Sequence, residues 1–213
     1  MRELYLKAPA KLNLALHVKG LREDGFHELQ MIMQSISLAD RVKLKKKSGG
    51  IIVKSSHTEL PTGEKNLAYQ AAEIFFQQNP EIKQGVEIYI EKNIPIAAGM
   101  AGGSADAAAV MRGLYQLFEL ESNFNELRRD LEAVGSDVPY CLEGGTVYAS
   151  GKGEILEELP FIGEKSNNSY PKRSLSFVNA IESLYTKLSL TYTDSPIQSL
   201  VVTSVEPNKN QSI

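Results

Sequence analysis

The chain has 213 residues, with 23 lysines and arginines, 26 aspartates and glutamates and 1 cysteine, and its net charge is −3. One cysteine excludes an internal disulfide framework and a metal site built from several cysteines. No apolar run is long enough for a transmembrane helix, and the charge balance argues against a nucleic-acid-binding protein. Because Lys7 and Lys11 interrupt the apolar start of the chain, we expect no secretory signal and a cytoplasmic protein that does not bind membranes.

The first part of the chain has the alternating pattern of β-strands. Apolar side chains occupy every second position from Leu12 to Val18, which predicts a strand, and Pro9 predicts a bend or bulge in it. Two glycines and several charges predict a loop at 20–27. Further strands are predicted at 29–38, 41–46, 51–54, 86–92 and 145–150.

Three helices are predicted, at 66–78, at about 104–119 and at about 124–134. Asn66 precedes the first of them and is a suitable N-cap, because its side chain can accept a backbone hydrogen bond. The strands are grouped early and do not alternate regularly with helices. This order predicts an α+β fold.

A glycine-rich turn at 97–103 follows a predicted strand and opens an alanine-rich helix. Glycines allow a ligand to approach the backbone, and a helix start offers unpaired N–H groups to phosphates. The turn lacks the Walker A pattern and the dinucleotide-binding pattern. Glycine content alone leaves two interpretations open, a phosphate-binding loop and a tight turn in which Ser104 is the N-cap.

The segment PIAAGMAGGSADAA resembles the central glycine-rich motif of the GHMP kinases, a family of small-metabolite kinases. It keeps Gly99, Gly102, Gly103 and Ser104, but it has Ala97 and a methionine where glycine and leucine are commoner. The resemblance implies a two-lobed GHMP kinase fold with an N-terminal lobe like domain 2 of ribosomal protein S5. It also implies that this loop wraps the triphosphate of ATP.

Two more motifs narrow the resemblance. PAKLNL, followed by DGFHEL, and GSDVPY are similar to segments of the 4-diphosphocytidyl-2-C-methyl-D-erythritol kinases, a branch of that family. These enzymes use ATP to phosphorylate a hydroxyl of a small-molecule substrate that carries a cytidine diphosphate group, in the non-mevalonate isoprenoid route. The three motifs stand in the right order over residues 5–160.

The resemblance implies that Lys11 and Asp137 are catalytic. Asp137 would accept the proton of the substrate hydroxyl, and Lys11 would stabilise the transferring phosphoryl group and keep the aspartate ionised. Taken without the resemblance, Asp137 is better interpreted as a loop aspartate that caps a turn. The alternative for Lys11 is a strand-edge lysine, which is unusual between Ala10 and Leu12 in an apolar run. Cys141 is interpreted as a buried small residue, not as a nucleophile.

Three residues are implied to bind the substrate. Phe26 would stack on the cytosine ring and His27 would bond its edge, although tyrosine is commoner in the family at position 26. Asn13 is expected on the same strand face as Lys11, where it could bond the hydroxyls of the substrate. His27 on its own is equally interpreted as a surface loop histidine.

The resemblance further implies a site for ATP and Mg²⁺. Ser104 is a candidate for binding the phosphates or Mg²⁺, and Asn66 resembles a family position near the adenosine. The residues of the glycine-rich segment expected to bind the nucleotide are Pro95, Ile96, Ala97, Ala98, Gly99, Met100, Ala101, Gly102, Gly103, Ser104 and Ala105.

The composition changes near residue 163. Residues 163–213 hold 10 serines and only 1 of the 16 glycines, and the resemblance ends near 162. We therefore expect residues 1–162 to form the N-terminal ATP-binding domain and 163–213 to be a divergent tail, from a shifted reading frame or disrupted gene, that replaces most of the C-terminal domain. The alternatives to an active kinase are an inactive nucleotide-binding remnant and another GHMP kinase.

Overall fold

In the computed structural model, residues 3–22, 25–153 and 155–159 are described. Residues 163–213 lie outside this range, so the two-domain division stays a prediction. Strands and helices are mixed in the order expected for an α+β fold. The elements are β1 (Glu3–Leu21), β2 (His27–Lys47), β3 (Ile51–Ser55), α1 (Leu67–Gln78), β4 (Gly85–Glu91), α2 (Gly102–Phe118), α3 (Phe124–Glu132), α4 (Val138–Glu143), β5 (Thr146–Gly151) and β6 (Ile155–Glu158).

The described residues divide into two compact units. The first unit contains residues up to 12 together with 35–144, and the second contains 13–34 together with the described residues from 145 onward. Strands β1 and β2 therefore contribute residues to both units. Among the described residues, no helix is long and apolar enough to cross a lipid bilayer.

The sheet of the first unit has β4 between β2 and β3. The second half of β2 pairs antiparallel with β4, from Arg41 opposite Glu91 to Lys47 opposite Gly85, and β3 pairs parallel with β4. Alternate residues of these strands are fully buried and form the core, as the period of two predicts. These are Val42, Leu44, Val86, Ile88 and Ile90.

Helix α2 packs very closely on this core. A Cβ atom at Gly113 would lie 2.5 Å from Leu44 Cδ1 and 2.7 Å from Leu6 Cδ1, so only glycine fits there without a shift of those side chains. The close approach fixes the height of α2 above the strands. It thereby fixes where the glycine-rich segment at the start of α2 lies.

The prediction of two strands at 29–38 and 41–46 is wrong, because β2 runs unbroken from His27 to Lys47. Asp40, which is a poor strand former, lies between the two predicted strands. In the structure its buried carboxylate accepts hydrogen bonds from the backbone N–H groups of Asn93 and Ile94, so the strand continues through it. Strand β1 likewise runs through Pro9 without interruption.

The predicted helices at 66–78, 104–119 and 124–134 correspond to α1, α2 and α3. Asn66 caps α1 as expected, since its side chain accepts a hydrogen bond from the N–H of Ala68. Ser104 is not the N-cap of α2, because that helix begins at Gly102 and the cap position is Ala101, in the left-handed conformation. The short elements α4 and β6 were not predicted.

In the second unit the first half of β2 pairs antiparallel with β5, from Leu29 opposite Gly151 to Gln34 opposite Thr146. Strand β6 pairs with β5 on the other side. The Thr146 hydroxyl donates a buried hydrogen bond of 2.6 Å to Gln34 Oε1. Strand β5 confirms the strand predicted at 145–150.

Candidate active site

The glycine-rich segment connects β4 to α2 with an unusual backbone. Ala97, Gly99 and Ala101 have φ values of 58°, 71° and 56°. Alanine rarely adopts this left-handed conformation, and such strain concentrates where a loop is held for a ligand. Left-handed residues that alternate with right-handed ones are the backbone pattern of anion-binding concavities.

The start of α2 continues this surface. Its cap residue Ala101 offers no side-chain hydrogen bond, so no side-chain cap occupies the first N–H groups of the helix. Gly103 is exposed, and a Cβ atom there would only touch Leu67 at 3.5 Å. At Gly103 the helix start therefore presents backbone to solvent at the positive end of a helix dipole.

Lys11 and Asp137 meet beside this segment. Lys11 Nζ lies 3.5 Å from Asp137 Oδ2, and the exposed fractions of the two side chains are 6% and 33%. Asp137 occupies the cap position of α4, but its side chain makes no capping hydrogen bond. The interpretation of Asp137 as a turn-capping aspartate is therefore wrong, and its carboxylate is available to Lys11 and to solvent.

Backbone contacts hold the two residues near the glycine-rich segment. The Lys11 N–H donates a hydrogen bond of 3.1 Å to the carbonyl oxygen of Met100. On the other side, a Cβ atom at Gly135 would lie 3.9 Å from Ser104 Oγ and 3.9 Å from Leu67 Cδ1. The segment before Asp137 thus packs against the start of α2, and the lysine, the aspartate and the loop form one site.

Asn66 lies at the start of α1 with both ends of its amide engaged. Its Oδ1 caps Ala68, and its Nδ2 donates a hydrogen bond of 2.6 Å to the carbonyl oxygen of Pro61. The loop before α1 lines a cavity of about 500 Å³ that includes Glu64 and Tyr69. The structure establishes Asn66 as a helix cap, and its contact with adenosine stays a prediction.

A buried charged cluster of Asp40, Lys92 and Asp106 adjoins the segment, and sequence reasoning missed it. Lys92 Nζ contacts Asp40 Oδ2 and lies 2.9 Å from Asp106 Oδ2. Burial, together with repulsion from Asp40, raises the pKa of Asp106 to about 7 against the attraction of Lys92. Burial lowers the pKa of Lys92, but the two carboxylates outweigh it and the pKa is raised overall. The signal available in the sequence was a charged residue, Asp106, inside an alanine-rich helix.

Cys141, on α4, is buried in the same unit. Burial raises the pKa of its thiol to about 12. The thiol therefore stays protonated at neutral pH, which agrees with its interpretation as a small buried residue.

The predicted substrate residues Asn13, Phe26 and His27 belong to the second unit. Phe26 and His27 line a cavity of about 350 Å³ with Val18, Leu29 and Lys152, and Lys152 Nζ lies 5.4 Å from the centre of the Phe26 ring. Asn13 is exposed on β1 and does not line this cavity. An aromatic ring beside a cation suits a planar, negatively charged ligand.

The fold and the glycine-rich segment are similar to those of the GHMP kinases. Residues 66–145 match the family model described as GHMP kinases N terminal domain. The crystal structure of a mevalonate kinase matches with a TM-score of 0.58 over 73% of this chain and 55% of the other, at 15% identity. That likeness concerns the fold alone.

Within the family, the chain is homologous to the 4-diphosphocytidyl-2-C-methyl-D-erythritol kinases. The enzyme of Syntrophomonas wolfei is 52% identical over 159 residues, which are 75% of this chain and 55% of the relative. The enzyme of Clostridium tetani is 51% identical over 73% of this chain and 56% of the relative. The crystal structure of a 4-(cytidine 5'-diphospho)-2C-methyl-D-erythritol kinase matches with a TM-score of 0.65 at 39% identity, over 74% of this chain and 56% of the other. The chain thus spans about half the length of these relatives.

Proposed function

We propose that this chain transfers a phosphoryl group from ATP to a hydroxyl of 4-diphosphocytidyl-2-C-methyl-D-erythritol, a step of the non-mevalonate route to isoprenoid precursors. The observation that carries the proposal is the pairing of Lys11 and Asp137, 3.5 Å apart, beside the glycine-rich segment. Phosphoryl transfer needs positioning, charge neutralisation and an acceptor for the hydroxyl proton. This site supplies a group for each need.

Asp137 acts as the base. Its carboxylate is one third exposed, so a substrate hydroxyl can reach it. Lys11 faces the transferring group, where its positive charge stabilises the charge that spreads over the phosphoryl oxygens in the transition state. Its hydrogen bond to Met100 holds it against the loop that binds the phosphates.

The phosphates of ATP bind to the backbone N–H groups of the segment from Pro95 to Ala105. Mg²⁺ requires few protein ligands when it is bound mainly through nucleotide phosphates. The described residues contain no group of three or more His, Cys, Asp or Glu that could hold a metal ion, which fits such a phosphate-borne ion. Ser104 is the residue that would hold it, and when bound Mg²⁺ neutralises phosphate charge.

Residues of the second unit and the similarity to the relatives support the proposed class of substrate. The cavity that contains Phe26 and His27 offers a ring for stacking and an imidazole for hydrogen bonding. These groups suit a cytosine base. Asn13, exposed on β1, would bond hydroxyl groups of the same substrate.

A second candidate function is a nucleotide-binding protein without turnover. The observation that favours it is that the glycine-rich segment, Lys11 and Asp137 all lie in the first unit, whereas Asn13, Phe26 and His27 lie in the second. ATP would then bind to the first unit without turnover of a substrate.

The test is an ADP-release assay on the purified 213-residue protein with ATP and Mg²⁺. Three acceptors are compared: the diphosphocytidyl-methylerythritol substrate, mevalonate and homoserine. The proposal expects ADP release with the first acceptor only. Equal release with mevalonate or homoserine would indicate another kinase of this family. Folded protein that binds ATP but releases no ADP with any acceptor would support the second candidate.

A further inference from the structure

Asp40 is a fully buried carboxylate on β2 that binds the chain leading into the glycine-rich segment. Its Oδ1 accepts hydrogen bonds of 2.6 Å from the N–H of Asn93 and 2.8 Å from the N–H of Ile94. Its Oδ2 accepts from the ammonium of Lys92. Burying a carboxylate is costly unless it is paired and hydrogen-bonded, and here residues 92–94 supply these three hydrogen bonds.

Lys92 connects the start of the glycine-rich segment to its far end. Its ammonium donates a hydrogen bond of 2.9 Å to Asp106 Oδ2, on α2. The side chain lies tightly over the first residue of that helix, since a Cβ atom at Gly102 would come within 3.1 Å of Lys92 Nζ. Only 4% of the Lys92 side chain is exposed, so water cannot easily replace either carboxylate.

These contacts hold the glycine-rich segment at both ends, at residues 92–94 and at Asp106. We propose that Asp40, Lys92 and Asp106 form a clamp that joins the two ends of the glycine-rich segment and fixes the direction of its N–H groups. The three are positioning residues, because they act through the backbone of the segment. The inference rests on the proposed nucleotide site and adds to it residues that determine its shape.

The two aspartates of the clamp differ in how many carboxylate oxygens accept hydrogen bonds. Asp40 uses both carboxylate oxygens as acceptors. Asparagine has only one acceptor oxygen. In Asp40→Asn the amide NH₂, which is a donor, would therefore face either Lys92 or the two backbone N–H groups, which are donors too. Asp106 uses only Oδ2, and its buried Oδ1 has no hydrogen-bond partner among the described residues. Asp106→Asn can therefore keep its bond to Lys92.

The matched pair Asp40→Asn and Asp106→Asn tests the clamp in the full chain. Each variant replaces one carboxyl group of the same cluster by an amide of nearly the same shape. We expect the Kd for ATP, measured by titration calorimetry on folded protein, to rise at least tenfold in Asp40→Asn and less than threefold in Asp106→Asn. Equal Kd values in both folded variants, with thermal stability alone changed, would overturn the proposal.

A second pair keeps the test valid if Asp40→Asn does not fold. Asp106→Leu and Asp106→Asn are both uncharged at this helix position, but only asparagine can accept from Lys92. We expect weaker ATP binding in the leucine variant and faster hydrogen exchange of the amides of residues 93–103, without nucleotide. If the wild type binds no ATP, the proposed function fails. The hydrogen-exchange rates still test the clamp in that case, because equal rates in the two variants would overturn it.

Discussion

The ammonium of Lys11 lies 3.5 Å from the carboxylate of Asp137, with the lysine buried and the aspartate partly open to solvent. This arrangement differs from a surface ion pair, in which both partners are hydrated and contribute little to stability. It also differs from a buried structural pair, because the aspartate remains accessible. A general base must be within reach of the substrate hydroxyl whose proton it accepts, and the accessible carboxylate of Asp137 meets this condition.

The glycine-rich segment can be tested with Gly103→Val. The side chain would meet Leu67 at ordinary contact distance, so the fold should tolerate it, apart from the lower helix propensity of β-branched residues. The added methyl groups would occupy the space in front of the helix start. We expect the Kd for ATP to rise at least tenfold, measured by calorimetric titration.

Gly49→Ala is the matched control, because Gly49 lies in the β2–β3 turn with nothing within 4 Å of an added Cβ. It should leave ATP affinity and thermal stability close to those of the wild type. Unchanged ATP affinity in folded Gly103→Val would refute the assignment of this segment to the phosphates.

Asp106 should make stability depend on pH. Its pKa is raised from 3.8 to about 7, mainly by burial, so the folded state holds a proton that the unfolded state releases. The free energy of unfolding therefore falls as pH rises between about 4 and 7, at most by about 1.4 kcal/mol per pH unit. Asp106→Asn removes this contribution.

Urea unfolding of wild type and Asp106→Asn at about pH 5 and about pH 8 checks the prediction. The variant should gain stability relative to the wild type at the higher pH, because asparagine cannot ionise. An identical stability difference at both pH values would show that Asp106 does not titrate in this range.

Phe26 should determine affinity for the cytidine-bearing substrate. Loss of base stacking is worth roughly 1–3 kcal/mol, so Phe26→Ala should raise the KM for that substrate about five- to 150-fold. The KM for ATP should stay the same, since Phe26 belongs to the second unit and the nucleotide site to the first. Phe26→Tyr keeps the ring and should keep the affinity. A parallel loss for both substrates would instead indicate damage to the fold.

Local features were predictable from the sequence because their causes are local. The alternation of strand β4 and the cap of α1 by Asn66 depend on residues a few positions apart. The position of the glycine-rich turn was predictable for the same reason. The pairing of Lys11 with Asp137 was implied only by resemblance, because no local pattern connects residues so far apart in the chain.

The charged cluster and the unbroken strand β2 were not predictable for a common physical reason. Asp40 disfavours a strand by propensity, and three contacts from residues 92–94 overrule that preference. Those contacts exist only after β2 and β4 have paired. Likewise, Ala97 and Ala101 adopt backbone angles that alanine disfavours, so composition alone places no left-handed residue there.

The most direct test of the phosphoryl-transfer site is the turnover of Asp137→Asn with ATP, Mg²⁺ and the diphosphocytidyl-methylerythritol substrate. Asparagine keeps the shape but cannot accept the proton, so kcat should fall by about 10²–10⁴-fold, while both KM values change little. Asp130→Asn, at a half-buried aspartate on α3 that accepts a hydrogen bond from Gln78, serves as the control and should keep the wild-type rate. A variant Asp137→Asn that turns over at the wild-type rate would contradict the account, because the residue paired with Lys11 would not be the base.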